Sequence, residues 1–140
     1  MKKNSSTSPT PPQPPKTPAK TETLCDWAEQ NGIPVIWTPH LSEAGRWVQT
    51  HGVILIRPDM PEAATVSVLA HELGHWWYGD TGSSSSIEAR AWQWAARVLI
   101  DPADYARAEQ IHPSAGSIAR ELGVLTDVVD GYRGLLAKQT

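Results

Sequence analysis

His71-Glu72-Leu73-Gly74-His75 places two imidazoles four residues apart, with a carboxylate directly after the first. On an α-helix, residues four apart stand one turn above each other, so both rings can aim a nitrogen at one metal ion. Glu72 projects about 100° further around the helix, where it can take a proton from a water at that ion without being a ligand. This spacing predicts metal-assisted hydrolysis, with Glu72 as general base. The pattern is short enough to arise by chance, and a lone histidine is more often a surface or satisfied core residue. The flanking residues must decide between the two.

From Glu62 onward they predict a helix in which Val66, Leu69, Leu73, Trp76 and Trp77 share one stripe of a 3.6-residue period, opposite His71 and His75. One side of such a helix packs on a core and the other faces a cleft. A catalytic zinc takes three protein ligands and keeps a fourth position for water, so a further acid or histidine is required. Asp80, Glu88 and His112 are the candidates. The metzincin extension of the motif is excluded, because Tyr78 and Thr81 hold the positions where it needs glycine and a third histidine.

A second helix is expected from about Ile87, with Glu88 on the same face as Ala91, Trp92, Ala95 and Leu99 and with Arg90, Gln93 and Arg97 on the other. A carboxylate heading an apolar stripe needs a positive partner, and a zinc ion meets that need. Ala91 and Ala95 are small enough to let this helix approach the first one closely. The plainer account of Glu88 is a first-turn acid favoured by the helix dipole. Asp80, within Gly79-Asp80-Thr81-Gly82, reads as a turn residue. Tyr78, Tyr105 and His112 are candidate oxyanion donors, with nothing to choose among them.

The elements around these helices predict a small α+β domain. Thr23 to Asn31 carries Leu24, Trp27 and Ala28 at helical spacing and is stopped by Gly32 and Pro34. Val35-Ile36-Trp37 is a strand candidate; Trp47–Thr50 and Val53–Ile56 flank His51-Gly52 as a hairpin. The expected fold is therefore a three-stranded sheet packed on the metal helix, followed by further helices. If Val53–Ile56 is a sheet edge, an extended substrate can pair with it across the cleft.

At 140 residues the chain makes one small domain with a tail. Residues 1–21 carry Pro9, Pro11, Pro12, Pro14, Pro15 and Pro18 and predict a disordered or polyproline arm, 22–112 the zincin-like domain that carries the metal site, and 113–140 a helix-turn-helix-like extension. The arm holds Lys2, Lys3, Lys16 and Lys20 without an acid, so the remainder is more acidic than the net charge of −3 and a poor general binder of nucleic acid. The absence of an apolar signal core or of about 20 consecutive apolar residues, together with the single Cys25, predicts a cytoplasmic protein.

Ile118-Ala119-Arg120-Glu121-Leu122-Gly123-Val124 reads as the first half of a helix-turn-helix. The would-be recognition helix carries Asp127 and Asp130 near its start, with Arg133 and Lys138 only late, and those acids would repel phosphates. A structural or protein-docking pair is the expectation.

With His71, Glu72, His75 and Glu88 on two successive helices, the chain resembles the ImmA/IrrE family of metallopeptidases. The resemblance runs from about Trp27 to Thr140 and includes Val68-Leu69-Ala70 before the motif, Glu88-Ala89-Arg90-Ala91-Trp92, Leu99-Ile100-Asp101-Pro102 and the helix-turn-helix-like tail. It implies a gluzincin-like peptidase with one Zn2+ held by His71, His75 and Glu88, and Glu72 as base. Members occur in phages, mobile elements and bacteria, and several cleave a helix-turn-helix repressor, which makes such a protein the expected substrate. The chain departs from typical members in its seven Trp and no Phe, and in the serine run Ser83 to Ser86, where substrate recognition is expected to differ. His and Glu ligands suit zinc best, although manganese or iron fits such a set. Two rival functions stand beside this one: a non-catalytic anti-repressor or interaction protein with a structural metal site, and a DNA-binding regulator acting through the C-terminal helices.

Overall fold

The computed structural model describes residues 12–139. It contains α1 (Thr21–Gln30), β1 (Val35–Trp37), β2 (Gly45–Val48), β3 (Val53–Ile56), α2 (Glu62–Tyr78), α3 (Ser85–Leu99), α4 (Pro102–Ile111), α5 (Ala115–Leu122) and α6 (Thr126–Lys138). The architecture is α+β, as expected: a three-stranded sheet and six helices.

The sheet order is β1-β3-β2, with β1 parallel and β2 antiparallel to β3. Gly52, at φ 65°, supplies the left-handed residue that turns the β2–β3 hairpin. Val53–Ile56 is thus the central strand, paired on both sides, and cannot be the edge that takes a substrate. Its run of four β-favouring apolar residues suits the centre, where Ile54 and Ile56 are fully buried. The strand bordering the α2 side of the cleft is β2.

α2 is the axis of the molecule, touching α1, β2, β3 and α3. The one-sided stripe expected for it is too narrow: Thr65 through His75 are all buried. Leu69 and Leu73 have no exposure, and the side opposite them is covered by α3 rather than by water. Gly74 makes that cover close, since a Cβ there would lie 2.9 Å from the Ala91 carbonyl oxygen and 3.3 Å from its Cα. Ala91 and Ala95, both fully buried, complete the small-residue seam. Trp27, Trp76, Trp77 and Trp94 pack ring against ring at 5.6–6.3 Å and clamp α1, α2 and α3 together at one end.

The C-terminal helices are part of this body. Ile118, Val128 and Val129 are fully buried in the same core as Leu69 and Leu73. The Leu125 amide donates to the Ser67 hydroxyl of α2 at 3.0 Å, and α6 lies on α3 so tightly that a Cβ on Gly131 would meet the Trp92 carbonyl oxygen at 2.6 Å. The predicted helix-turn-helix pair exists, with Gly123 at φ 70° in its turn. α6 spends one face on α3, so residues 113–139 share the core of the residues before them.

Residues 12–20, expected in the arm, lie along the body; residues 1–11 fall outside the described residues. Pro15 and Ala19 are buried. The Trp27 indole N–H donates to the Gln13 carbonyl at 2.7 Å, while the Thr17 hydroxyl and the Ala19 amide satisfy the Arg97 and Val98 carbonyls, both at 2.9 Å. Those are carbonyls at the end of α3 that the helix itself cannot pair. A chain beginning at Thr21 is therefore expected to lose about 2 kcal/mol of stability and to exchange the amides of the last α3 turn faster. Unchanged hydrogen-exchange protection at Val98 to Ile100 would show that this strap holds nothing.

Candidate metal centre

α2 ends in a Schellman-type turn whose geometry builds half of the site. Gly79, at φ 65°, closes the helix, and the next amide, that of Asp80, returns to the His75 carbonyl at 2.9 Å. The same turn brings the Asp80 carboxylate back over its own helix, where Oδ2 lies 2.9 Å from His75 Nδ1. A carboxylate only accepts, so Nδ1 carries the hydrogen, and Nε2 is the nitrogen that points away from Asp80. Asp80 sits in the expected turn, but its side chain is buried, 4 % exposed.

α3 supplies the other half. Ser84 caps its N-terminus by accepting from the Ile87 amide, so the helix begins at Ser85, two residues earlier than expected. Glu88, in the first turn, points its carboxylate at α2: Oε1 is 2.9 Å from His71 Nε2 and Oε2 is 3.2 Å from His75 Nε2. It sits at the mouth of the cleft with 36 % of its side chain exposed, rather than buried as its apolar neighbours implied. Trp92, one turn on, lies flat on the His71 ring at 4.1 Å between centroids and fixes its plane.

Three carboxylates thus approach the histidines, Asp80 at His75 Nδ1 and then Glu72 and Glu88. His71, Glu72 and His75 offer atoms within 4.8 Å of one another, but Glu72 touches His71 at Nδ1, 3.0 Å away, and so lies on the other nitrogen from Glu88. Only Glu88 meets the Nε2 atoms of both rings. Donor atoms of a tetrahedral zinc with bonds of about 2.0–2.1 Å are separated by about 3.3 Å, so the separations of 2.9 and 3.2 Å need little adjustment to admit an ion. Two imidazole nitrogens and a carboxylate also form a donor set that zinc takes in hydrolytic sites. The residues fit the metal.

Burial presses the His71 imidazole toward neutrality, but hydrogen bonds and charge from Glu72 and then Glu88 outweigh it and raise its pKa above the ordinary histidine value. The proton held there competes with a metal, and binding an ion must release it.

The site opens into a cleft of about 490 Å³ bounded by β2, the histidines and the 80–83 turn. β2 approaches α2 closely at Gly45, where a Cβ would fall 2.6 Å from Val68 Cγ1 and 3.2 Å from Glu72 Cγ. Among the described residues β2 pairs with β3 alone, so its other edge borders the cleft. Thr81, Gly82 and Ser83 form part of the wall, whereas Ser85 and Ser86 belong to α3.

Other candidates lie elsewhere. His112 pairs with Glu121 at 3.2 Å, away from the cleft. The Tyr105 hydroxyl donates to Glu109 and accepts from Arg133. Tyr78 stacks under the Arg90 guanidinium at the end of α2. None of the three lines the cleft. The residue that sequence reading undervalued is Asp80, and its signal was legible: an acid directly after the glycine that ends a metal-binding helix is carried back onto that helix.

Among the described residues no helix is long and apolar enough to cross a membrane. No curated protein and no solved structure matches the chain at a significant level. A family model does: the IrrE N-terminal-like domain, a peptidase family, matches residues 28–131, from the last turn of α1 into the first half of α6 and across the boundary expected near residue 113. With a match over most of its length and the paired-helix constellation inside it, the chain belongs to the IrrE N-terminal-like peptidase family.

Proposed function

We propose that the chain is a zinc-dependent endopeptidase in which His71, His75 and Glu88 hold one ion and Glu72 is the general base. The observation that carries this reading is the Glu88 carboxylate, whose two oxygens face the Nε2 atoms of two different histidines. When bound, zinc supplies Lewis acidity and makes water a stronger acid at neutral pH. Glu72 takes the proton of the attacking water and returns it to the leaving amine. Its carboxylate is buried beside His71 and opens onto the cleft, within reach of a peptide lying there. Backbone groups on the free edge of β2 hold that peptide extended, leaving its side chains to be read by the 81–83 turn and by Arg46.

The substrate inferred is an exposed linker of a helix-turn-helix repressor, which places the enzyme in the cytoplasm; the family resemblance supports this. The burial of one face of α6 against α3 speaks against the DNA-binding alternative.

Zinc content of the purified chain tests the site. The wild type is expected to hold one ion per chain and Glu88→Ala to lose it at equal protein concentration. Equal content in the two would remove Glu88 from the ligand set.

A further inference from the structure

We propose that Arg90 is a positioning residue for His75, acting through Asp80; this rests on the metal reading above. The Asp80 carboxylate is almost fully buried and divides its oxygens between two donors. Oδ2 accepts from His75 Nδ1 at 2.9 Å, and Oδ1 accepts from Arg90 Nη2 at 2.6 Å. A carboxylate held by one oxygen can swing about its Cβ–Cγ bond; held by both, it fixes the direction in which it meets the imidazole. The ring plane, and hence the aim of Nε2, follows.

The backbone of Asp80 is anchored without Arg90, through its amide on the His75 carbonyl and through its carbonyl, which accepts from the Trp47 indole at 3.2 Å. Only the carboxylate depends on α3. Arg90 is itself held, its guanidinium 4.1 Å from the centroid of the Tyr78 ring, one turn beyond His75 on α2. Glu88 and Arg90, two residues apart on α3, thus address opposite nitrogens of one ring: Glu88 directly at Nε2, Arg90 through Asp80 at Nδ1. Any slip of α3 along α2 would disturb both. A planar guanidinium can stack on Tyr78 and bond Asp80 together, which an ammonium cannot.

The test measures Zn2+ affinity of the full chain by competition with a chelator, and the visible spectrum of the Co2+-loaded protein, which reports ligand geometry. Asp80→Ala is expected to weaken binding by about 10–100-fold and Arg90→Ala by roughly tenfold, with a changed Co2+ spectrum and partial recovery in Arg90→Lys. The double variant should bind no more weakly than Asp80→Ala, because Arg90 acts only through that carboxylate. An unchanged affinity and spectrum in Arg90→Ala, or losses that multiply in the double variant, would overturn the proposal. Should Arg90→Ala not fold, Tyr78→Leu, which removes the stacking surface and leaves the ion pair, is expected to lose affinity several-fold, and no loss there overturns it equally. A wild type that takes up no Zn2+ brings down the metal reading and this inference with it, an outcome distinct from a wild type that binds and an Arg90→Ala that binds equally.

Discussion

Glu72→Gln is expected to lower peptide hydrolysis by about 10²–10⁴-fold while leaving the metal content unchanged. Glutamine has the shape of glutamate and fills the same space beside Gly45 and His71, so the packing of α2 is kept. What is lost is the ability to accept a proton, because an amide oxygen is a far weaker base than a carboxylate. The ligands His71, His75 and Glu88 are untouched. Cleavage of an unstructured peptide library, followed by mass spectrometry alongside zinc content, separates the two effects. If the variant still cleaves, or if a partner repressor is still inactivated at the wild-type rate, Glu72 is not the base and the binding-only alternative gains the ground.

Gly74→Val is expected to destabilise the fold by about 3 kcal/mol, lowering Tm by roughly 10 °C, and to release the metal as well. The physical reason lies in what the added atoms meet. A Cβ at position 74 falls 2.9 Å from the Ala91 carbonyl oxygen and 3.3 Å from Trp94 Cβ, and the first of these is helix backbone that no rotamer change can move aside. Relief requires α3 to retreat from α2. Glu88 lies one turn before Ala91 on that helix, so the retreat carries its carboxylate away from both histidines. Gly82→Ala is the control, since its Cβ would touch only Ile87 Cδ1 at 3.9 Å. Thermal unfolding and zinc content of the two variants decide the matter; a stable, zinc-loaded Gly74→Val would mean that the helices have more freedom than their contact implies.

The local features of the site could be read from the chain alone because they depend on one helix at a time. The four-residue spacing of His71 and His75, the turn at Gly79 to Gly82 and the hairpin about Gly52 are each settled by backbone geometry over a few residues. Glu88 was legible for a related reason, as its place on the face of Ala91 and Ala95 is a matter of helical period. The existence of three strands followed from their β-branched and aromatic residues, but which of them lies in the middle did not. Period and propensity are the same for a central and an edge strand, and the order depends on pairings between residues distant in the chain.

Other features of the fold share that cause. Residues 12–20 look like a solvated arm by composition, yet they find unpaired carbonyls at the end of α3 and an indole donor on Trp27, partners that exist only once α1 and α3 are side by side. Residues 113–139 look separable because they form a familiar helical pair, but glycines at 131 and 134 let α6 press on α3, and burial of Val128 and Val129 binds them to the same core. Asp80 returns to its own helix by local geometry, but its second partner, Arg90, reaches it only once α3 packs on α2. Chemistry carried within a helix is written in residue type and spacing; chemistry that needs two elements to meet is written only where side chains from both compete for the same space and charge.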